Sequence, residues 1–162
     1  MDFEITHFFD ASPAEIATTM LDEDYQRSLS NIGHLRRELL EQKTAENGRV
    51  SRRVRCVLDL KVSGAARRFI GDADPAWIEM ATWNEEALRW SFTIDPEIAK
   101  ELLEAKGTIG ITGDVAGSVR TIQGNVKVRV PFYGGKVEGW IVEGLSDAYD
   151  EEADRLRAWI EG

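Results

Sequence analysis

From Gly135 to Glu161 the chain places Val137, Trp140, Ile141, Gly144, Leu145, Ala148, Tyr149, Leu156, Trp159 and Ile160 at recurring three- and four-residue intervals. That spacing specifies one long amphipathic helix, about 39 Å long at 1.5 Å per residue. A stripe of that length needs a broad apolar partner. The segments before it alternate as strands, so the partner is a sheet curled around the helix.

Residues Asp2 to Asp10 alternate, with Phe3, Ile5, His7 and Phe9 on one side. Ser12, Pro13 and Glu15 then supply an N-cap hydroxyl, a proline at the first helical position and a capping-box carboxylate. The helix they start turns Ile16, Met20 and Leu21 inward. Asp22 to Ile32 reads as a second short helical piece, burying Tyr25 and Leu29 and ending at Gly33. Leu35 to Thr44 favours helix by propensity, but Asn47-Gly48 is a hairpin turn into the strand Arg49 to Leu60, and a hairpin needs a strand before its turn. Leu35 to Thr44 is therefore assigned as strand. Val50, Val54, Cys56 and Leu58 share one side of its partner.

Lys61 to Gly71 reads as an irregular or briefly helical connection. A second hairpin follows, Trp77 to Trp83 and Leu88 to Ile94, with Trp77, Ala81 and Trp83 on one side of the first strand and Leu88, Trp90, Phe92 and Ile94 on one side of the second. Asp95 and Pro96 look like the start of a short helix carrying Ile98, Leu102 and Leu103, stopped at Gly107 and placed over residues 96 to 106 as a lid. Thr108 to Val115 and Val119 to Val130 complete the strands, and Pro131 with Gly134-Gly135 turns the chain into the last helix. Strands joined by turns rather than crossover helices are mostly antiparallel. The expected fold is α+β, a single domain over residues 1–162, with a curved antiparallel sheet, two short helices after the first strand and one long C-terminal helix.

A formal net charge of -9 argues against nucleic acid as a partner. No stretch approaches the ~18 uninterrupted apolar residues of a membrane span, so the chain is not expected to be an integral membrane protein. Cys56 is the only cysteine, which excludes an internal disulfide and fits a reducing, cytoplasmic setting. There is no Gly-x-Ser-x-Gly or phosphate-loop motif, and the two histidines lie 27 residues apart. No catalytic residue, metal ligand or cofactor is assigned. The acidic run Asp147, Asp150, Glu151, Glu152 and Asp154 reads as the wet face of the last helix. Arg53 and Arg55 share one side of their strand and Arg52 the other. The bland reading is a solvated face paired with Glu38 and Glu41; the functional one is an inward Arg52 that anchors a ligand carboxylate or phosphate. His7 is either a core imidazole with satisfied hydrogen bonds or a polar group inside a cavity.

The opening Phe3-Glu4-Ile5-Thr6-His7, the Ser12-Pro13-Ala14-Glu15 helix start, Trp83 at a strand end, and Val126 to Pro131 leading through Gly134, Gly135, Lys136, Val137 and Glu138 into the last helix resemble the START and birch-pollen-allergen-like helix-grip superfamily. This is also called the SRPBCC or polyketide cyclase/START-like superfamily, and the likeness is greatest to an uncharacterised bacterial domain-of-unknown-function branch. The resemblance implies a cavity between the sheet and the last helix. It further implies binding or transport of a small hydrophobic ligand, lipid or polyketide-like. The wall residues expected from the pattern are Trp83, Trp90, Phe92, Val128, Trp140, Ile141 and Leu145, with Arg52 and His7 as polar groups. Two alternatives remain open: a cyclase- or hydrolase-like enzyme using His7 with an arginine or glutamate in the same cavity, and a filled-core interaction module whose partner is a protein, such as a second copy in a homodimer.

Overall fold

Alternating side chains make the first strand, β1 (Asp2–Phe9), and the capping box makes the first helix, α1 (Pro13–Leu21). The Glu15 amide donates to the Ser12 hydroxyl and the Ser12 amide donates to the Glu15 carboxylate. Asp22 ends α1 and caps α2 (Glu23–Ser28), accepting from the Tyr25 amide at 2.9 Å. The computed structural model describes residues 1–60, 63, 64, 67, 68, 71–97 and 100–162. Most of the connection read over 61 to 71, and Ile98, lie outside the described residues.

Among the described residues seven further strands follow: β2 (Asn31–Ile32), β3 (Leu35–Thr44), β4 (Val50–Leu58), β5 (Ala76–Asn84), β6 (Arg89–Pro96), β7 (Leu103–Asp114) and β8 (Gly117–Val128). The chain then enters α3 (Gly134–Glu161). The sheet order is β1-β8-β7-β6-β5-β4-β3-β2, and every pairing is antiparallel. Only the step from β1 to β2 is not between neighbours, so α1 and α2 take the chain from one sheet edge to the other. The curled sheet grips α3, whose Val137, Ile141, Ala148 and Leu156 are buried.

Leu35–Thr44 is a strand despite its helical propensity, with a bulge between Leu39 and Glu41. Asn31–Ile32 does not continue the preceding helix; it pairs with Leu35 and Arg36. Among the described residues the expected lid helix does not appear either. Asp95 pairs with Ile78, and Leu103 pairs with Val128, so sheet pairing claims both ends of that segment. Burying Leu103 on the inner face outweighs the local Asp-Pro start signal.

Two glycines shape the inner face. Gly107 and Gly124 pair directly across β7 and β8. A Cβ at Gly107 would meet the Phe92 ring at 2.7 Å, and one at Gly124 the Phe3 ring at 2.8 Å. The bare backbone is what lets those two rings lie against the sheet.

Candidate functional site

Strand alternation turns more than apolar residues toward α3. Arg37 on β3, Arg52 on β4, Glu79 on β5 and Arg120 on β8 all take the inward positions, and Glu152 continues the helix stripe Ile141, Leu145, Ala148. Arg52 is 4% exposed, Arg120 1% and Glu152 6%, so Glu152 does not belong to the wet face to which the sequence pattern assigns it. It forms an ion pair with Arg120 and accepts from the Tyr25 hydroxyl at 2.5 Å. Burial alone would push the Glu152 carboxyl up, but Arg120 and the Tyr25 hydroxyl bring it below its ordinary value.

Arg120 also donates to His7 Nδ1 at 3.1 Å. A guanidinium only donates, so Nδ1 is the acceptor and the proton sits on Nε2, which donates to Asp150 Oδ1 at 2.8 Å. Burial holds the imidazole below its ordinary value and Arg120 adds to this, outweighing Asp150. The His7–Asp150 contact is thus a hydrogen bond from a neutral ring.

Arg52 donates from Nη1 to the Met20 carbonyl at 2.9 Å, and its guanidinium carbon lies 4.0 Å from the centre of the Trp90 ring. Gln26 donates to the same carbonyl at 3.0 Å and accepts from both terminal nitrogens of Arg37 at 3.3 Å. Burial and the nearby Arg37 push Arg52 down to about 10, which leaves it cationic at neutral pH. Arg52 Nε and Arg120 Nε are buried without a hydrogen-bond partner. Such groups are expensive in an interior that well-packed apolar side chains would fill at equal or better stability.

Two cavities lie between sheet and helix. One, of about 30 Å³, is bordered by Phe3, Phe92, Ile94, Leu103, Val126 and Ile141. The other, of about 40 Å³, is bordered by Gln26, Arg37, Arg52, Cys56, Arg120 and Glu152. Trp77, Glu79, Leu145 and Tyr149 border both and form the partition. Each space suits a water molecule or two, whereas small-molecule pockets run to roughly 300–1,000 Å³. A ligand therefore enters only if partition side chains move.

The expected site residues divide accordingly. Phe92, Ile141 and Leu145 border the apolar cavity, and Arg52 and Leu145 the polar one. Trp83 and Trp90 are buried against each other, ring centres 5.4 Å apart, with Trp90 against Arg52, and border neither of these two cavities. Val128 is at a strand end, where its amide donates to Glu138 at 2.8 Å. Trp140 borders a separate cleft of about 130 Å³ beside His34 and Asp59. His7 borders neither interior cavity, and both its ring nitrogens are engaged. Arg55 faces outward, as in the bland reading, but its bidentate partner is Glu97, at 2.7 and 2.9 Å, and not Glu38. Sequence reasoning overlooked Arg37, Glu79 and Arg120. The available signal was parity for two of them, since Glu79 is in phase with Trp77, Ala81 and Trp83, and Arg120 with Val128; the Leu35–Thr44 pattern offered no such phase for Arg37. Among the described residues no cluster of His, Cys, Asp or Glu is arranged to hold a metal ion, and no helix is long and apolar enough to cross a membrane.

Residues 4–160 match the family described as "Protein of unknown function (DUF2505)". No curated protein matches the chain. Among solved structures, the fold is similar to TTHA0849 from Thermus thermophilus, with a TM-score of 0.71, 16% identity and coverage of 98% of this chain and 99% of that one. It is similar to the Zhui aromatase/cyclase from Streptomyces sp. R1128, with a TM-score of 0.64, 9% identity and coverage of 99% and 93%. A START superfamily protein from Mycobacterium smegmatis gives a TM-score of 0.62 at 13% identity, covering 99% and 97%. At these identities the likeness is one of fold, the helix-grip architecture of START-type proteins.

Proposed function

Because the chain belongs to the DUF2505 family, described only as proteins of unknown function, we propose from its own geometry that it binds a small hydrophobic ligand between the curled sheet and α3. The observation behind this reading is the pair of cavities that share Trp77, Glu79, Leu145 and Tyr149 in their walls. Rotation of Leu145 and Tyr149 on α3 joins the two spaces into one chamber, apolar at one end and charged at the other. Phe92, Ile141 and Leu145 are then the apolar wall, with Arg52 at the polar end and Trp90, packed on Trp83, against its guanidinium. Burying the ligand's apolar surface contributes about 25 cal/mol per Å². The fold shared with an aromatase/cyclase and a START superfamily protein supports the same reading.

The test is native mass spectrometry before and after organic extraction, joined to titration with the neutral dye Nile red. The expected result is an excess mass on the order of a few hundred daltons that extraction removes, dye uptake by the extracted chain, and loss of uptake in Leu145→Trp. A bare chain mass together with no dye uptake would overturn the reading. The runner-up, an interaction module with a filled core, rests on the small volumes, about 30 and 40 Å³, and predicts that second outcome.

A further inference from the structure

The charges that border the polar cavity do not balance. Three guanidiniums, Arg37, Arg52 and Arg120, face two carboxylates, Glu79 and Glu152. The other titratable groups in that wall are neutral: burial pushes the Cys56 thiol up to about 12 and raises the Tyr149 hydroxyl beyond any physiological titration. His7, behind Arg120, is neutral as well. Glu152 is committed to Arg120 and Tyr25. What remains is Arg37 and Arg52 opposite Glu79, and among the described residues neither arginine has a carboxylate in ion-pair range. Arg37 is held at 3.3 Å by the amide oxygen of Gln26, and Arg52 by one backbone carbonyl and the face of Trp90.

A guanidinium buried without a carboxylate partner is destabilising, and buried charges replaced by well-packed apolar side chains often leave stability equal or better. Arg52 is in that position, and the half-buried Arg37, opposite Cys56 on the adjacent strand, is joined to it through Gln26 and the Met20 carbonyl; the two together point to a function beyond packing. Arg52 Nε is buried without a partner, on a residue only 4% exposed. The surplus is a single positive charge. A phosphate monoester, with a charge near −1.5 to −2 at neutral pH, would exceed it beside Glu79. A carboxylate matches it, and its two oxygens fit the planar donor fork of a guanidinium.

We propose that the ligand is an amphipathic monocarboxylate, its carboxylate received by Arg52 and Arg37 and its apolar body passing Tyr149 and Leu145 to lie among Phe3, Phe92 and Leu103. This rests on the binding function proposed above and names the chemistry of its polar end. Trp77 lies in the partition, so tryptophan fluorescence reports on occupancy.

The experiment compares decanoate with methyl decanoate, two probes of equal chain length that differ in charge, by fluorescence titration of the extracted protein below their aggregation limits. Decanoate is expected to bind about tenfold or more tightly than the ester. Arg52→Gln should bring decanoate to the ester's level, and Arg52→Lys should restore part of the preference. Arg37→Gln is the second variant should Arg52→Gln lose its native circular dichroism. Equal affinity for acid and ester, or a preference that survives both glutamine variants, overturns the carboxylate site while hydrophobic binding stands. Failure of both probes to bind overturns the two readings together.

Discussion

Arg120 and Glu152 meet in the interior, 1% and 6% exposed. Taking away one leaves the other as an uncompensated buried charge, so Arg120→Met and Glu152→Leu are each expected to destabilise by about 3–5 kcal/mol. The double replacement should recover most of that loss. Urea denaturation midpoints of the four proteins check it; additive losses would mean the pair is not coupled. At the opposite extreme is Phe132, fully exposed in the turn before α3 with φ +66°. A side chain larger than asparagine's gains nothing there and carries the left-handed backbone penalty of about 1–2 kcal/mol. Phe132→Gly is expected to raise Tm by about 2–4 °C in calorimetry. These residues also mark a limit of sequence reading. Arg52 was legible as an inward candidate because Val50, Val54 and Cys56 flank it at even spacing. Glu152 was equally in phase with Ile141, Leu145 and Ala148, but acidic neighbours on the helix made it look solvated.

At the level of elements, periodicity was the dependable guide. The stripe from Val137 to Leu156 forms the buried face of α3, and Trp77, Ala81 and Trp83 all point inward from β5. Local start signals misled where the sheet had a competing use for the same residues: Asp95 and Pro96 belong to β6, not to a helix. Gly107 and Gly124 carry a second kind of information that no pattern of hydrophobicity contains, because their importance comes from rings on other strands. Gly107→Ala is expected to cost about 1–3 kcal/mol, since its Cβ would press on Phe92 and the backbone of β8. Thermal unfolding measures the loss, and Phe92→Leu combined with it should relieve part. The same substitution at Gly135, where nothing lies within 4 Å of a Cβ, serves as the control: Gly135→Ala should not destabilise.

Across the whole molecule, acid should weaken the fold in two stages. The imidazole of His7 titrates near 6.5 when unfolded and lower when folded. Between those values the unfolded chain binds the extra proton, so stability falls as pH drops through that window. Glu152, also lowered in the fold, contributes stability above the ordinary carboxylate range that is lost as pH falls further. His7→Gln should flatten the first stage and leave the second, as read from urea midpoints between pH 4 and 8. The overall architecture, a sheet gripping a long helix, was legible because one unusually long apolar stripe admits few partners. The interior charges were not, because compensation depends on residues brought together from β3, β4, β5, β8 and α3.

The seam between β1 and β8 has a consequence for the order in which this protein can be made. His7 and Arg120 are 113 positions apart, and at about 5–20 residues per second of synthesis the first strand waits roughly 6–23 s for its partner to be translated. During that interval Phe3, Ile5 and Phe9 have no sheet to join. A nascent chain from a neighbouring ribosome offers the same β8, so exchange of β1 between copies is the misassembly to which this topology is most prone.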